Sequence, residues 1–330
     1  MKKTSYPTVV TIGIFDGVHK GHQAILKKAV KEAKRSRLKS VVITFNPHPV
    51  KVLSPAAKIP FLVSLEHRIK LIKGAGIDDC RILKFTKAFS KITAEEFIKK
   101  ILIDKLNLKA LVVGENFLFG AGERGNLRLL KSLGKKYDFK VYGVRPLKMK
   151  PTRSVPRLRS GCLVDGEHSR TKARGEILSG RCLSEQFYGR ECIDGDFVSS
   201  TRIRKAIERG DLKLASKLLG RPVTILGTVV KGKRIGRVIG FPTANIDPHH
   251  ESIPPSGVYS VDVILGEKLY HGILNISTRN IVEVYIFNFN KNIYGKDIEV
   301  IFKQKIRDEK KFNSLKALQR QIHLDIQKAV

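Results

Sequence analysis

Strand-like and helix-like segments alternate along the first half of the chain at the spacing of crossover connections, and this rhythm limits the fold more than any other feature. Residues 9–15 (VVTIGIF), 40–45 (SVVITF), 79–85 (DCRILKF), 110–114 (ALVVG) and 140–144 (KVYGV) read as short buried strands. Between them, 23–35 reads as a helix with Ile25, Leu26, Ala29, Val30 and Ala33 on one face. Residues 65–73 and 125–136 read as helices as well, and Thr93 opens a further one over AEEFIKKILIDKL, with Glu96 three residues on completing a capping box. Parallel strands joined by helices bury both sheet faces, so the expectation is a doubly wound, Rossmann-like α/β domain with a parallel sheet.

The texture changes near residue 224. TILGTVV, GVYSVDVIL, KLYHGILNIS, VEVYIFNF and DIEVIFKQKI follow one another with only turn residues between them. Closely spaced strands without helices predict a small antiparallel β-barrel. The chain closes with an amphipathic helix over 314–329, its apolar positions including Leu315, Leu318, Ile322 and Ile326. Two domains follow, 1–220 and 221–330, a division in keeping with a length of 330 residues.

Residues 151–193 fit neither half. They hold seven Arg and one Lys, whereas the other residues hold 16 Arg and 39 Lys, and three of the four cysteines (Cys162, Cys182, Cys192) fall there. No period of a helix or strand runs through them, so they read as a disordered or loosely ordered insertion; the alternative is an arginine-rich arm for nucleic acid.

Composition excludes several classes. No window of about 20 residues is free of charge, so no membrane-spanning helix is expected. The start, MKKTSYPTVV, lacks a signal-peptide core, and the reading is a cytoplasmic protein. The cysteines, including Cys80, show no CxxC pairing, which argues against structural zinc or a disulfide framework. The formal charge is +33, which points either to polyanionic partners or to a lysine-rich solvated surface. Tryptophan is absent and arginine rarely sits beside an aromatic residue, so nucleic acid is the weaker reading and small phosphorylated substrates the stronger one.

The chemistry of the first half concentrates in GIFDGVHKGH, 13–22, between the first strand and the first helix. Ligands of α/β sheets bind at the carboxyl ends of strands. Glycine lets a backbone approach phosphates, and a helix beginning near Gly21 favours an anion. His19 and His22 would donate hydrogen bonds to a triphosphate as charge builds on its oxygens. A histidine pair in a loop is often no more than surface decoration; its position between strand and helix favours function.

The string TIGIFDGVHKGHQAIL resembles the bacterial bifunctional riboflavin kinase/FMN adenylyltransferase family, the FAD synthetases. TFNPHP, AEEFI, VGENFLFGAGERGN, VSSTRIRKAIERGDLKLASKLLGRP, GRVIGFPTANI, GVYSVDV and YGKDIEVIFKQKIRDEKKF resemble it in the same order, over nearly the whole chain except 151–193. The resemblance implies that Asp16, His19 and His22 sit at the ATP phosphates with Asn46 nearby. Asn116 would help hold the nucleotide or flavin phosphate, and Ser199, Ser200, Thr201 and Arg204 would form a second phosphate loop at a helix start. Hydroxyls, a helix N-terminus and an arginine make a suitable anion cradle. The implied reaction is attack of the FMN phosphate on the α-phosphorus of ATP, which needs positioning, Mg²⁺ and positive donors rather than a protein nucleophile.

In the second half the resemblance assigns GRVIGFPTANI to a riboflavin kinase site. Gly236 and Gly240 would shape a phosphate loop, and Thr243 and Asn245 would supply oxygen ligands to Mg²⁺. Glu283 matches the catalytic carboxylate that takes the proton of the riboflavin 5′-hydroxyl. Two departures stand out. NISTRNIVEV is shorter than the usual loop before the catalytic Glu, and Tyr285 stands where the family often has His. The expectation is therefore a chain that makes FMN and then FAD, using ATP and Mg²⁺. The alternatives are an FMN adenylyltransferase with a degraded kinase half, or a basic nucleic-acid-binding protein.

Overall fold

β1 (Thr8–Ile12) is buried at every residue, which only a central strand covered on both faces achieves. In the computed structural model, which describes residues 3–57, 60–149, 197–232, 236 and 240–329, it lies at the middle of a five-stranded sheet. The other strands are β2 (Lys39–Asn46), β3 (Asp79–Lys84), β4 (Leu108–Gly114) and β5 (Lys140–Val144), in the order β3-β2-β1-β4-β5 with all pairings parallel. The expected Rossmann-like sheet is thus present. The insertion expected at 151–193 lies outside the described residues.

Alternation along β1 and β2 divides the core between the two faces. Val9 and Val42 pack with Leu26, Ala29 and Ala33 of α1 (Lys20–Ser36) and with Ile72 of α3 (Leu65–Gly74). Val10, Ile12, Val41 and Ile43 face the opposite layer, with Phe97, Ile98 and Leu102, and with Leu130 and Leu133 of α5 (Leu127–Lys136). A short α2 (Pro49–Leu53) follows β2. Thr93 caps α4 (Ala94–Phe97) through the expected capping box with Glu96, but the α-helix lasts only one turn and continues as a π-helical stretch over Ile98–Ile103. Strand order reverses between β1 and β4, so the crevice for a ligand lies beyond their carboxyl ends.

Further along the chain, α6 (Ser200–Glu208) and α7 (Leu212–Leu219) lead into a closed barrel. Its strands are β6 (Thr224–Val230), β7 (Ala244–Asp247), β8 (Gly257–Leu265), β9 (Lys268–Ile276), β10 (Val282–Ile286) and β11 (Asp297–Arg307). The order around it is β10-β7-β6-β11-β8-β9, antiparallel throughout. β7 was not expected: it is four residues inside a string that reads as a glycine-rich loop. Ile203, Ile207, Leu218 and Leu219 of α6 and α7 share one core with the barrel residues Ile225, Tyr259 and Val300.

The closing helix α8 (Leu315–Ala329) packs against β8, β9 and β11. It is docked by Asp325, 1% exposed, which accepts from Arg307 Nε at 2.9 and 3.0 Å and from Nη2 at 2.7 Å. Leu315, expected on the apolar face, is 54% exposed and takes no part in that docking. Among the described residues, no helix is long and apolar enough to cross a membrane.

Candidate active sites

The turn after β1 is built around His19. Phe15 and Val18 take left-handed backbone angles, and the chain reverses through Asp16–Val18 into α1. His19 is the N-cap of α1: its Nδ1 accepts the amide N–H of His22 at 3.3 Å. The two imidazoles stack with centroids 3.6 Å apart at 16°. Because Nδ1 of His19 is an acceptor, the neutral ring carries its proton on Nε2 and presents it as a donor. Gly21 is needed beside the stack, since a Cβ there would sit 3.2 Å from His19 Nδ1 and Cε1.

Electrostatics keep these rings neutral. Burial lowers the pKa of His19 to about 4, with Arg221 and Arg204 pressing the same way against its own backbone hydrogen bond. Burial, His19 and Arg68 push His22 well below the ordinary value. The positive charge at this end belongs to the arginines. That charge is ready for an anion, while the imidazoles offer neutral N–H donors.

A cavity of about 840 Å³ opens beyond the ends of β1 and β4. Asp16, His19, Gly21, His22, Asn116, Ser199, Ser200, Thr201 and Arg204 all line it. The strings around residues 16, 116 and 200, far apart in sequence, therefore meet at one place. The N-terminus of α6 is turned to this cavity, and Ser199 also acts as its N-cap, accepting the Arg202 N–H at 3.3 Å and leaving its hydroxyl proton for a ligand. Ser200 Oγ donates to the carbonyl of Asp16 at 3.0 Å.

Asp16 has both of its carboxylate oxygens engaged by protein donors. Its Oδ1 accepts the Leu62 N–H at 2.9 Å and its Oδ2 accepts Arg204 Nη2 at 2.8 Å, with only 5% of the residue exposed. Burial pulls its pKa up, opposed by the charge and hydrogen bond of Arg204. A carboxylate so engaged holds Arg204 beside the cavity that both residues line. Asn46 is placed away from the expected site: it is exposed at the end of β2 and not among the cavity walls, whereas His48 two residues on is buried and is one of them. His48 Nδ1 accepts the Val50 N–H at 3.1 Å, and burial with Arg68 and Arg204 nearby lowers its pKa to about 3.

Part of the cavity wall is aromatic. Phe45, Phe85, Phe89, Phe97, Phe117 and Phe119 line it and touch one another edge-on or stacked at 5.5–6.0 Å. A cavity that combines polar, positively charged walls with flat apolar ones suits a ligand with a phosphate chain and a planar ring system.

The barrel carries a second constellation. Val282, Val284 and Ile286 of β10 point into its core, so Glu283 and Tyr285 point outward. Glu283 stands opposite Asn245 of β7 and Asn275 of β9. Thr243 precedes Asn245 by two residues and shares its face. Phe241 N–H donates to Gly236 O at 2.8 Å, and a Cβ on Gly236 would lie 3.0 Å from Thr243 Oγ1, so Gly236 lies against the same strand. Gly240 turns the loop with φ 83°. The Phe241 ring meets the edges of Tyr285 at 5.4 Å and His323 of α8 at 5.0 Å.

The comparisons with known proteins agree with both halves. A family model described as FAD synthetase matches residues 1–155, and one described as riboflavin kinase matches residues 219–330. A bifunctional riboflavin kinase/FMN adenylyltransferase of Buchnera aphidicola (subsp. Schizaphis graminum) is 35% identical over 337 residues, covering 99% of this chain and 94% of that protein. The chain belongs to the bifunctional riboflavin kinase/FMN adenylyltransferase family. Its Escherichia coli K12 relative of the same name is 34% identical, with 96% of this chain and 90% of that protein covered. Over the whole length, the fold resembles the crystal structure of a macrolide-efflux protein from Streptococcus pneumoniae, with a TM-score of 0.74, 30% identity, and 99% and 95% of the two chains covered.

Set in this family, the residues that sequence reasoning passed over are the phenylalanine wall, His48, Gly232 and His323. The FLF of ENFLFG was a visible sign of the wall, but its partners come from β2, the span after β3, and α4. Gly232 had no sign: a Cβ there would fall 1.9 Å from Asn245 Nδ2, so it lets the end of β6 cross directly over the Asn245 amide.

Proposed function

We propose that the chain phosphorylates riboflavin to FMN on the outer face of the barrel and adenylylates FMN to FAD in the N-terminal cavity, each with ATP. Residues 1–220 and 221–330 are the two functional halves of this reading. Family membership supports the pair of reactions. The observation that carries the assignment of sites is the single cavity that collects the stacked histidines, the α6 N-terminus and the phenylalanine wall.

In adenylyl transfer, an FMN phosphate oxygen forms a bond to the α-phosphorus of ATP as the bond to pyrophosphate breaks. The wall of phenylalanines receives the flavin ring. His19 Nε2–H and the hydroxyls of Ser199 and Thr201 donate to phosphate oxygens, and Arg204, fixed by Asp16, supplies charge as negative charge builds toward pyrophosphate. His22 supports the ring of His19 by stacking and by its amide N–H. Asn116 completes the phosphate side of the cavity.

In the kinase half, Glu283 accepts the proton of the riboflavin 5′-hydroxyl as that oxygen attacks the γ-phosphorus of ATP. Among the described residues, no group of three or more His, Cys, Asp or Glu could hold a metal ion by itself. Thr243 and Asn245 beside Glu283 offer instead the sparse oxygen donors that suit Mg²⁺ shared with ATP phosphates, and Gly236 and Gly232 bring the loop backbone close against these two side chains. When bound, Mg²⁺ neutralises phosphate charge.

Product analysis with Mg²⁺-ATP, run separately on riboflavin and FMN, tests the reading. FAD from both substrates is expected. FAD from FMN alone assigns a kinase half lost through its short 277–281 hairpin. No flavin turnover by folded protein overturns the reading and returns attention to the charge of +33 and to polyanion binding.

A further inference from the structure

The barrel reaches into the adenylyl-transfer site through residues 61–64. Along these four positions the partners fall on two sides. Phe61 O accepts the Ser252 N–H from the barrel at 2.6 Å, and Phe61 bridges Glu251. The N–H groups of Leu62 and Val63 both go to Asp16 Oδ1, at 2.9 and 3.4 Å. The N–H of Ser64 returns to the barrel, to Glu251 Oε1 at 2.7 Å. The Leu62 side chain belongs to the barrel core, yet a Cβ on Gly17 would lie 2.6 Å from its Cδ1. A single short segment thus holds the Asp16 turn with one hand and the barrel with the other.

Glu251 is the hub on the barrel side. It lies in the connection after β7 and is 4% exposed. Besides Ser64, its Oε2 accepts the Leu226 N–H of β6 at 3.1 Å. Its two oxygens lie 3.1 and 3.2 Å from Nδ1 of His67, which is fully buried at the start of α3. His67 Nε2 faces Thr224 Oγ1 at 3.3 Å and Glu299 at 3.6 Å, and Lys70 pairs with Glu299. Arg221, under the influence of both glutamates, donates from Nη1 to the carbonyl of Gly17 at 2.9 Å, on the far side of the same turn. The turn bearing His19 is therefore gripped from two directions, by the 61–64 segment that Glu251 holds and by Arg221.

We propose that Glu251, a residue of the kinase half, is a positioning residue for adenylyl transfer. It holds 61–64, which holds Asp16, which holds Arg204 against the phosphate end of the cavity. It touches no reacting atom, and it lies in the connection that follows β7, beyond the strand residue Asn245 that faces Glu283. This inference rests on the site assignment proposed above.

The test uses the full chain with Glu251→Ala and Glu251→Gln, measuring both reactions in one preparation. The alanine variant should lower kcat for FMN adenylylation at least tenfold and leave kcat for riboflavin phosphorylation within twofold of wild type. The glutamine variant keeps an acceptor for the Ser64 N–H but turns its NH₂ toward the Leu226 N–H, and should recover part of that loss. Rescue of kcat with KM for ATP little changed is the signature of positioning, which a general loss of stability does not produce. Equal loss of both activities, or adenylylation unaffected by the alanine change in folded protein, overturns the inference while leaving the site assignment standing. A wild-type chain that makes no FAD from FMN overturns both.

Discussion

Replacing Asp16 by Asn changes no volume and removes one charge at the point where the phosphate cradle is anchored. The carboxylate accepts the Leu62 N–H at 2.9 Å on one oxygen and Arg204 Nη2 at 2.8 Å on the other, and the side chains of the ion pair are 6% and 7% exposed. An amide has one acceptor for these two donors. Whichever way it is turned, its NH₂ faces an N–H: that of Leu62 or that of Arg204. Breaking a buried pair from one side costs about 3–5 kcal/mol, because the remaining charge stays buried without its counterion. At about 2–4 °C per kcal/mol for a domain of this size, the melting midpoint of the N-terminal half should fall by roughly 6–20 °C. Adenylyl transfer should fall with it, since Arg204 loses the contact that orients it, and riboflavin phosphorylation should hold at temperatures where the barrel stays folded. Calorimetry together with separate assays of the two reactions measures both effects. Arg204→Met in the same chain supplies the cycle: the double variant should lose at least about 1 kcal/mol less than the sum of the singles. A variant that melts within 2 °C of wild type and keeps its adenylylation rate refutes the anchoring role.

Other consequences are checked as directly. The His19 ring should stay neutral, with its proton on Nε2, as pH falls from 8 to 5, because its pKa is lowered to about 4; ¹⁵N NMR of the imidazoles reads tautomer and charge together. Glu299 is held near a pKa of about 2 by His67 and Lys70, against an ordinary 4.5, so its stabilising contribution is complete above the ordinary value and is lost as pH falls from there toward 2. His67 works in the other direction: burial opposes its charge, but hydrogen bonds and charge from Glu251 and Glu299 outweigh it and raise the pKa above 6.5, so that contribution is present below 6.5 and lost as pH rises through the folded value. Unfolding by denaturant across pH, with Glu299→Gln as control, should show the acid-side loss in wild type and a flatter profile in the variant. Asp325→Asn weakens the anchor of α8 and should raise KM for riboflavin phosphorylation through the contact of His323 with Phe241, with adenylylation unchanged in steady-state assays.

Much of this architecture was legible because local and tertiary preferences agree. The strands of the parallel sheet are short apolar runs bounded by turn residues, and the capping box at Thr93 is complete within four residues. The histidine pair was legible through its position, since a ligand crevice forms where β1 and β4 diverge. What stayed hidden was assembled across distance. The phenylalanine wall joins residues from 45 to 119 in several elements, and no spacing announces it. β7 was masked by glycine and proline around a four-residue strand. Asp16 lies in the motif, but only the fold shows that Leu62 and Arg204 occupy its oxygens. The Glu251–His67 contact spans halves of the chain that sequence reading treats as separate domains.

The central claim is that two independent sites act in series on one chain, and mixing two variants tests it most directly. His22→Ala should convert riboflavin to FMN and stop there. Glu283→Gln should adenylylate FMN but phosphorylate riboflavin roughly 10²–10⁴-fold more slowly than wild type, the usual loss with a general base. Incubated together with riboflavin and Mg²⁺-ATP, the two variants should restore FAD, the first supplying the FMN that the second consumes. FAD from the mixture and from neither variant alone is the predicted result. A mixture that makes no FAD, or a single substitution that abolishes both reactions in folded protein, contradicts the account.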